Sequence, residues 1–323
     1  MQQLQTWQFI LERLQQKIPV MLLYVVESKG SSPGRQGFFM AVDANGKMHG
    51  SIGGGIMEHK FVEMAKDKIR CDETHSDLRK QIHRKSAQRN QSGMICSGEQ
   101  TIVMYNLRDK DYDVVHPITE SLLNHQNGAL TLTAESISFE RKNTIEQRVF
   151  NFTDEYNWSY KTPTGFFDYL YIVGGGHCAL ALSQLMQMVD FHITVIEERK
   201  KLNTFEENIF AHQKKQVTDY ENINSFIQFD AANAYVVIMT SGYRTDKIAL
   251  KQLFEKPLKY LGVLGSKTKM KSLFDSMVKE GVKKEKLNSV FAPIGLQINS
   301  RTPQEIAVSI AAQIIQVKNK VSE

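Results

Sequence analysis

Gly174-x-Gly176-x-x-Ala179 has the residue types and spacing that let a backbone approach a phosphate. Gly174 permits a tight turn, Gly176 admits a diphosphate, and Ala179 is small enough for a helix to pack on a sheet. Gly175 and His177 complete the turn. Helix-start N–H groups and the helix dipole attract anions. Glu197 lies about the expected ~20 residues on, where an acid can bond a ribose hydroxyl. Arg199, two residues later, can meet a phosphate instead. His177 can bond backbone or contact a phosphate or pterin. Cys178 reads as a small buried hydrophobe before a reactive thiol. The pattern points to a nucleotide-bearing ligand without saying which nucleotide.

The first half carries a second glycine-rich loop, Ser51-Ile52-Gly53-Gly54-Gly55, with Glu58 one helical turn on. Consecutive glycines can build a nest of N–H groups, so Gly53, Gly54, Gly55 and Glu58 form a candidate anion site or a structural turn. No Gly-Lys-Ser/Thr follows, so it is not a P-loop. Arg35, in Gly34-Arg35-Gln36-Gly37, can clamp a phosphate with paired donors or stay on the surface. Cys96, in Cys96-Ser97-Gly98-Glu99, is either an idle thiol or a soft metal ligand. Gly265 and Ser266 follow a strand and precede a helix, an anion-friendly terminus whose serine also suits an N-cap. No zinc-like spacing and no Ser/His/Asp order is visible. Glu197 and Glu198 are neighbours on a strand, so they face opposite sides and make no carboxylate pair.

These residues need elements to hold them. After residue 167 the pattern is βαβ. Asp168 to Val173 is an apolar strand and a helix runs to Val189. His192 to Ile196, Tyr235 to Met239 and Tyr260 to Leu264 are further short strands. That alternation predicts a parallel sheet covered by helices. Pro303 opens a last helix. The first half mixes types. Leu4 to Lys17 has helical spacing, Val20 to Val26 is a buried strand, and Phe38 to Val42 continues into a turn at 43–46. Ile56 to Arg70 is a helix, 71–92 has no clear assignment, and Thr101 to Leu107 is a strand. Val115 to Asn124 is helical, and the stretches 129–134, 136–140 and 147–152 read as an antiparallel meander. Lys161-Thr162-Pro163-Thr164-Gly165 reads as a linker. The expected fold is α/β: an α+β domain over 1–162, then a Rossmann-like nucleotide-binding domain over 163–323.

Composition narrows the class. Among 323 residues, 41% are hydrophobic and 23% charged, with a formal net charge of +5. That balance is ordinary for a globular protein and shows no concentrated basic run of the kind nucleic acid requires. No apolar run approaches the ~20 residues of a membrane span, and the first residues lack a signal-peptide pattern. Three scattered cysteines, Cys71, Cys96 and Cys178, make no disulfide framework. The expectation is a cytoplasmic chain with no nucleic-acid or membrane partner.

Taken in order, GSSPGRQG from Gly30, GSIGGGIMEH from Gly50, CSGE from Cys96, YIVGGGHCA from Tyr171, VIEER from Val195, YLGVLGSKTK from Tyr260 and PIGLQINSRTPQEIAVSI from Pro293 resemble the XdhC/CoxI family. These are accessory factors of xanthine dehydrogenase and related molybdenum hydroxylases. The resemblance implies an XdhC/CoxI domain followed by a Rossmann domain. It implies a non-catalytic chaperone that binds molybdenum cofactor, in mononucleotide or dinucleotide form, and assists its sulfuration and insertion. The implied partners are a xanthine dehydrogenase-type apo-enzyme and a cysteine desulfurase, with the factor as a homodimer. Cys96 would lie near the molybdenum, and the cofactor between the domains. The chain departs from the family's pattern at Ile56 and Ser97. In Thr240-Ser241-Gly242-Tyr243-Arg244-Thr245-Asp246, Tyr243 stands where the family has histidine and can hydrogen-bond a ligand. Two alternatives stay open: an NAD(P)-dependent oxidoreductase, and a non-catalytic nucleotide-binding paralogue.

Overall fold

A computed structural model describes residues 2–73, 75–82, 98–142, 147–227 and 233–320. The chain divides into two compact units, 1–165 and 166–323.

The first unit is α+β. Its elements are α1 (Gln2–Gln15), β1 (Val20–Lys29), β2 (Phe39–Asp43), β3 (Met48–Gly50), α2 (Gly55–Arg70), β4 (Asp77–Ile82) and β5 (Glu99–Leu107). Then come α3 (Tyr112–Leu123), β6 (Gly128–Thr133), β7 (Ile137–Arg141), β8 (Val149–Phe152) and β9 (Trp158–Thr164). One antiparallel sheet has the order β3-β2-β1-β5-β4, the other β7-β6-β9-β8. The continuous apolar run of β1 is explained by its central place, because both its faces are covered. Val20, Leu22, Tyr24 and Val26 pack with α1 and α3, while Met21, Leu23 and Val25 pack with Met57, Phe61 and Ala65 of α2.

Three expectations change here. The stretch 71–92, which has no clear pattern of its own, contains β4 on the sheet edge. The three strands expected as a meander are not one, because β8 pairs with β9 and not with β7. The expected linker at 161–165 is the end of β9, through Thr164, and the residue after it. Pro163 is tolerated there because it lies past the last residue paired with β8, so its missing N–H leaves no ladder bond unmade on that side.

The second unit is Rossmann-like. It contains β10 (Asp168–Val173), α4 (His177–Met188), β11 (Phe191–Glu197), α5 (Asn203–Glu206), β12 (Gln213–Gln216), β13 (Ala234–Ile238) and α6 (Tyr243–Leu253). It closes with β14 (Tyr260–Val263), α7 (Lys267–Lys279), α8 (Lys284–Leu287) and α9 (Pro303–Lys318). All pairs are parallel, in the order β12-β11-β10-β13-β14. One face packs on α4 and α9 through Ile172, Leu182, Val195 and Ile310. The other packs on α6 and α7 through Val173, Val236, Leu250 and Leu273. The strand order reverses between β10 and β13. That switch point is where open α/β sheets take ligands, outside the strands' carboxyl ends.

Candidate functional site

The turn from β10 to α4 sits at this switch point. Gly174 has φ +108, and a Cβ there would lie 2.4 Å from the Met239 carbonyl oxygen just beyond β13. The Gly174 N–H donates to Ile196 O at 2.8 Å, so the turn is tied to both neighbouring strands. Gly175 is held from two sides: its N–H donates to Glu197 Oε2 at 2.6 Å, and its carbonyl accepts from Thr204 Oγ1 at 2.6 Å. Gly176 differs. It is the N-cap of α4 with φ −72, a conformation any residue adopts, and a Cβ would meet nothing within 4 Å. No side chain caps α4. The first-turn N–H groups of a helix have no intrahelical partners, so this end offers donors to an anion. His177 is exposed at the first helical position. Cys178 packs against the core and burial pushes its thiol pKa up, away from thiolate chemistry.

Glu197 closes β11 and is fully buried. Oε1 accepts the Arg199 N–H at 2.7 Å and Nε at 2.9 Å, while Oε2 accepts Arg199 Nη2 at 2.8 Å besides Gly175. Tyr220 OH is 3.5 Å from Oε1. Burial alone would raise the Glu197 pKa, but the Arg199 and Gly175 hydrogen bonds outweigh it and hold it below the usual carboxylate range. The Tyr220 hydroxyl is pushed up by burial and by the Glu197 charge, so it stays protonated. The expected free acid for a ribose diol is therefore already engaged: Glu197 fixes the Gly175 turn and orients Arg199.

The carboxyl ends of β13 and β14 carry the other candidates. Asp246 is buried and accepts from Thr240 N–H at 3.1 Å and Thr240 Oγ1 at 2.6 Å. It is also ion-paired with Lys269. This joins the first turn of α6 to the first turn of α7 and shapes the loop that Gly174 touches. Tyr243 is 39% exposed, but its OH donates to Ser272 O at 3.1 Å, so the expected ligand donor is used inside the unit. Arg244 is exposed at the start of α6. Ser266 caps α7 by accepting from Lys269 N–H at 3.2 Å, and a Cβ on Gly265 would meet Met270 Cε at 2.6 Å. These two residues have structural work where they stand.

In the first unit the two glycine-rich loops meet. A Cβ on Gly34 would lie 2.1 Å from Ile52 O, and one on Gly53 2.6 Å from Gly34 N. Gln100 bridges them, accepting from Gly34 N–H at 3.0 Å. Gly53, Gly54 and Gly55 have φ +129, +76 and +71, which shapes a nest at the start of α2. The chain fills it with its own anion. Glu58 Oε2 accepts from Ser51 Oγ at 2.8 Å, Ile52 N–H at 3.2 Å and Gly54 N–H at 2.9 Å. Of the two readings of the triplet, anion site or structural turn, the structure shows a turn closed by the chain's own carboxylate. Beside it lies an open cleft of about 420 Å³, lined by Gly55, Glu58, His59 and Lys66 among others. Arg35, read as either a clamp or a surface residue, is exposed and donates to Gly30 O at 2.8 Å within its own loop. Cys96 and Ser97 lie outside the described residues. Among the described residues no group of three or more His, Cys, Asp or Glu is placed to hold a metal ion.

Two family models match this chain: the XdhC Rossmann domain over 170–314, and the XdhC and CoxI family over 13–80. The chain belongs to the XdhC/CoxI family. Every candidate residue above except Cys96 falls inside one of the two matched XdhC regions. "Uncharacterized protein YqeB" of Escherichia coli K12 is 24% identical over 308 residues, 94% of this chain and 44% of that protein. A probable xanthine dehydrogenase subunit from Bacillus subtilis 168 is 30% identical over 154 residues, 47% of this chain and 44% of that protein. The chain spans less than half the length of these curated relatives. A crystal structure described as a xanthine dehydrogenase from Bacillus halodurans shares the fold, with TM-score 0.72 at 19% identity over 98% of this chain and 97% of that one. No helix among the described residues is long and apolar enough to cross a membrane.

Sequence reasoning missed what Asp246, Lys269, Thr204 and Gln100 do. Each acts across the fold on a partner many residues away, and no local spacing announces that. Glu58 had a signal: an acid four residues after a helix's first glycines can reach back to the N–H groups before it.

Proposed function

We propose that this chain is a maturation factor for a xanthine dehydrogenase-type molybdenum hydroxylase. It binds molybdenum cofactor, in mononucleotide or dinucleotide form, shelters it during sulfuration by a cysteine desulfurase, and helps insert it into the apo-enzyme. It works as a cytoplasmic homodimer and turns over no substrate itself. One observation carries the binding step: Gly176 opens a long helix with nothing within 4 Å of a Cβ position and no capping side chain. Gly174 and Gly175 are glycine because backbone and side chains crowd them, whereas Gly176 has no such neighbour. Family membership and the relative named as part of a probable xanthine dehydrogenase support the assignment to this cofactor and client.

The residues present fit the cofactor's phosphate end. The start of α4 would hold the phosphate through N–H groups, with His177 and Arg199 at its margins. When bound, the cofactor supplies the molybdenum centre on its own dithiolene sulfurs. The chain's part is to bind, orient and shelter.

A second reading, binding of NAD(P) by an oxidoreductase or a nucleotide-binding paralogue, is favoured by the strand order with its glycine turn at the switch point. Metal analysis with ultraviolet and fluorescence spectra, on protein from a molybdate-fed host, separates the two. Near-stoichiometric molybdenum with pterin fluorescence is expected. A bound nicotinamide or adenine nucleotide without molybdenum would replace the first reading with the second. Gly176→Asp is expected to lower ligand retention at least tenfold while the fold survives, because its carboxylate repels phosphate. Cys96→Ser is expected to lower molybdenum retention and leave dinucleotide binding unchanged.

A further inference from the structure

The first unit holds a cleft that the phosphate site does not use. Its volume of about 420 Å³ falls within the roughly 300–1,000 Å³ of small-molecule sites. The turn between β2 and β3 forms one side, through Met48. One face of α2 forms the other, where Glu58, Val62, Glu63 and Lys66 recur at helical spacing.

Glu58 is fixed through one oxygen only. Oε2 takes the Ser51 hydroxyl and the N–H groups of Ile52 and Gly54. Among the described residues, Oε1 takes no hydrogen bond. An ionised carboxylate only accepts, and each oxygen has lone pairs to offer. Three donors on Oε2 hold the group still, so Oε1 is an acceptor set in place before a ligand arrives. The other charges on this face of α2 cancel. Lys66 Nζ donates to both oxygens of Glu63 at 3.0 Å. Glu58 is in no ion pair among the described residues, so the cleft opposes an anion and favours N–H donors. Its remaining surface is apolar. Val62 is buried at the floor and Met48 is 42% exposed at the rim. A thioether is a favourable neighbour for an aromatic ring.

Apolar walls and one preset acceptor suit a flat heteroaromatic ring that carries an amino group on one edge. The 2-amino-4-oxopyrimidine ring, shared by pterins and guanine, has that edge. We propose that this cleft binds such a ring, from a pterin, with Glu58 Oε1 accepting from the 2-amino edge. The choice of pterin over guanine rests on the cofactor proposed above. Recognition of the amino edge rests on the cleft alone.

The test is fluorescence titration of the full chain with pterin and with lumazine, which has a 2-oxo group where pterin has the amino group. Neither probe carries phosphate, so the start of α4 does not contribute. A carbonyl facing Oε1 sets acceptor against acceptor, so pterin is expected to bind roughly tenfold tighter. In Glu58→Gln the amide oxygen can keep the loop's N–H groups while the NH2 faces the cleft. The preference is then expected to vanish or reverse. Met48→Ser, at an exposed position, is expected to weaken both probes about threefold and keep their ratio. The unaltered chain is decisive even if a variant fails to fold. Equal affinities, or binding of neither probe, overturn the inference. Molybdenum retained by the same protein would leave the proposed function standing in that case, and a pterin preference without molybdenum would leave only the cleft. A preference that survives Glu58→Gln overturns the assignment to Glu58. Guanosine and inosine, with and without the amino group, form the second pair. A tenfold gap between them, with none between pterin and lumazine, would assign the cleft to a nucleobase and overturn the pterin.

Discussion

Each unit places a glycine-rich loop directly before a helix, and the two loops end differently. In the first unit the N–H groups of Ile52 and Gly54 close on the chain's own Glu58. In the second, Glu197 takes Gly175 N–H alone among the loop's N–H groups, and α4 opens uncapped at Gly176. The same local chemistry therefore serves two ends. A carboxylate within reach turns such a loop into an internal joint, and a carboxylate held one residue back leaves the helix start without a capping side chain. Glycine content alone does not separate these outcomes. The reach of the nearest acid does.

Breaking the second loop should have the largest effect. Gly174→Ala places a Cβ 2.4 Å from a backbone oxygen at φ +108. A loss of roughly 3 kcal/mol or more is expected from this mechanism, read as a shifted urea midpoint. Wild-type stability would show that the two crossover loops part easily. Glu58→Ala sharpens the contrast from the other side. It leaves Ile52 and Gly54 N–H without their acceptor, and about 1–2 kcal/mol should be lost. An unchanged midpoint would mean that water replaces Glu58 without penalty. Acid exposes the smallest effect. Glu197 is held below its ordinary pKa when folded, so its contribution is present above the unfolded value of about 4.3 and is lost as pH falls below that. Urea midpoints followed from pH 5 to 3 should decline, and less steeply in Glu197→Gln. Parallel declines would detach Glu197 from acid stability.

The fold of the second unit was legible because its signals are contiguous. An apolar strand, a glycine turn and a helix follow one another from Asp168, and the actual strand β10 begins and ends where the apolar run does. The first unit was harder. β9 was hidden by Pro163 and Gly165, whose types mark a linker unless one knows that β8 stops short of them. The candidate site was legible in place and not in wiring. Gly174 to Gly176, Glu197 and Arg199 were all visible as residues, but the saturation of Glu197 depends on Arg199 folding back two residues and on Gly175 arriving from another strand. Asp246 and Lys269 show the same limit, since an ion pair spanning two crossovers leaves no periodic trace.

Gly174 rests against the Met239 carbonyl, and its N–H is bonded to Ile196 O. The ends of β10, β11 and β13 are therefore tied at one point. The wall of the crevice cannot swing on one strand alone. A ligand that settles there meets a mould already set, so little ordering entropy is spent on capture. Its residence time then follows from the contacts it must break. Under the carrier role proposed above, release would have to be driven by whatever takes the cargo.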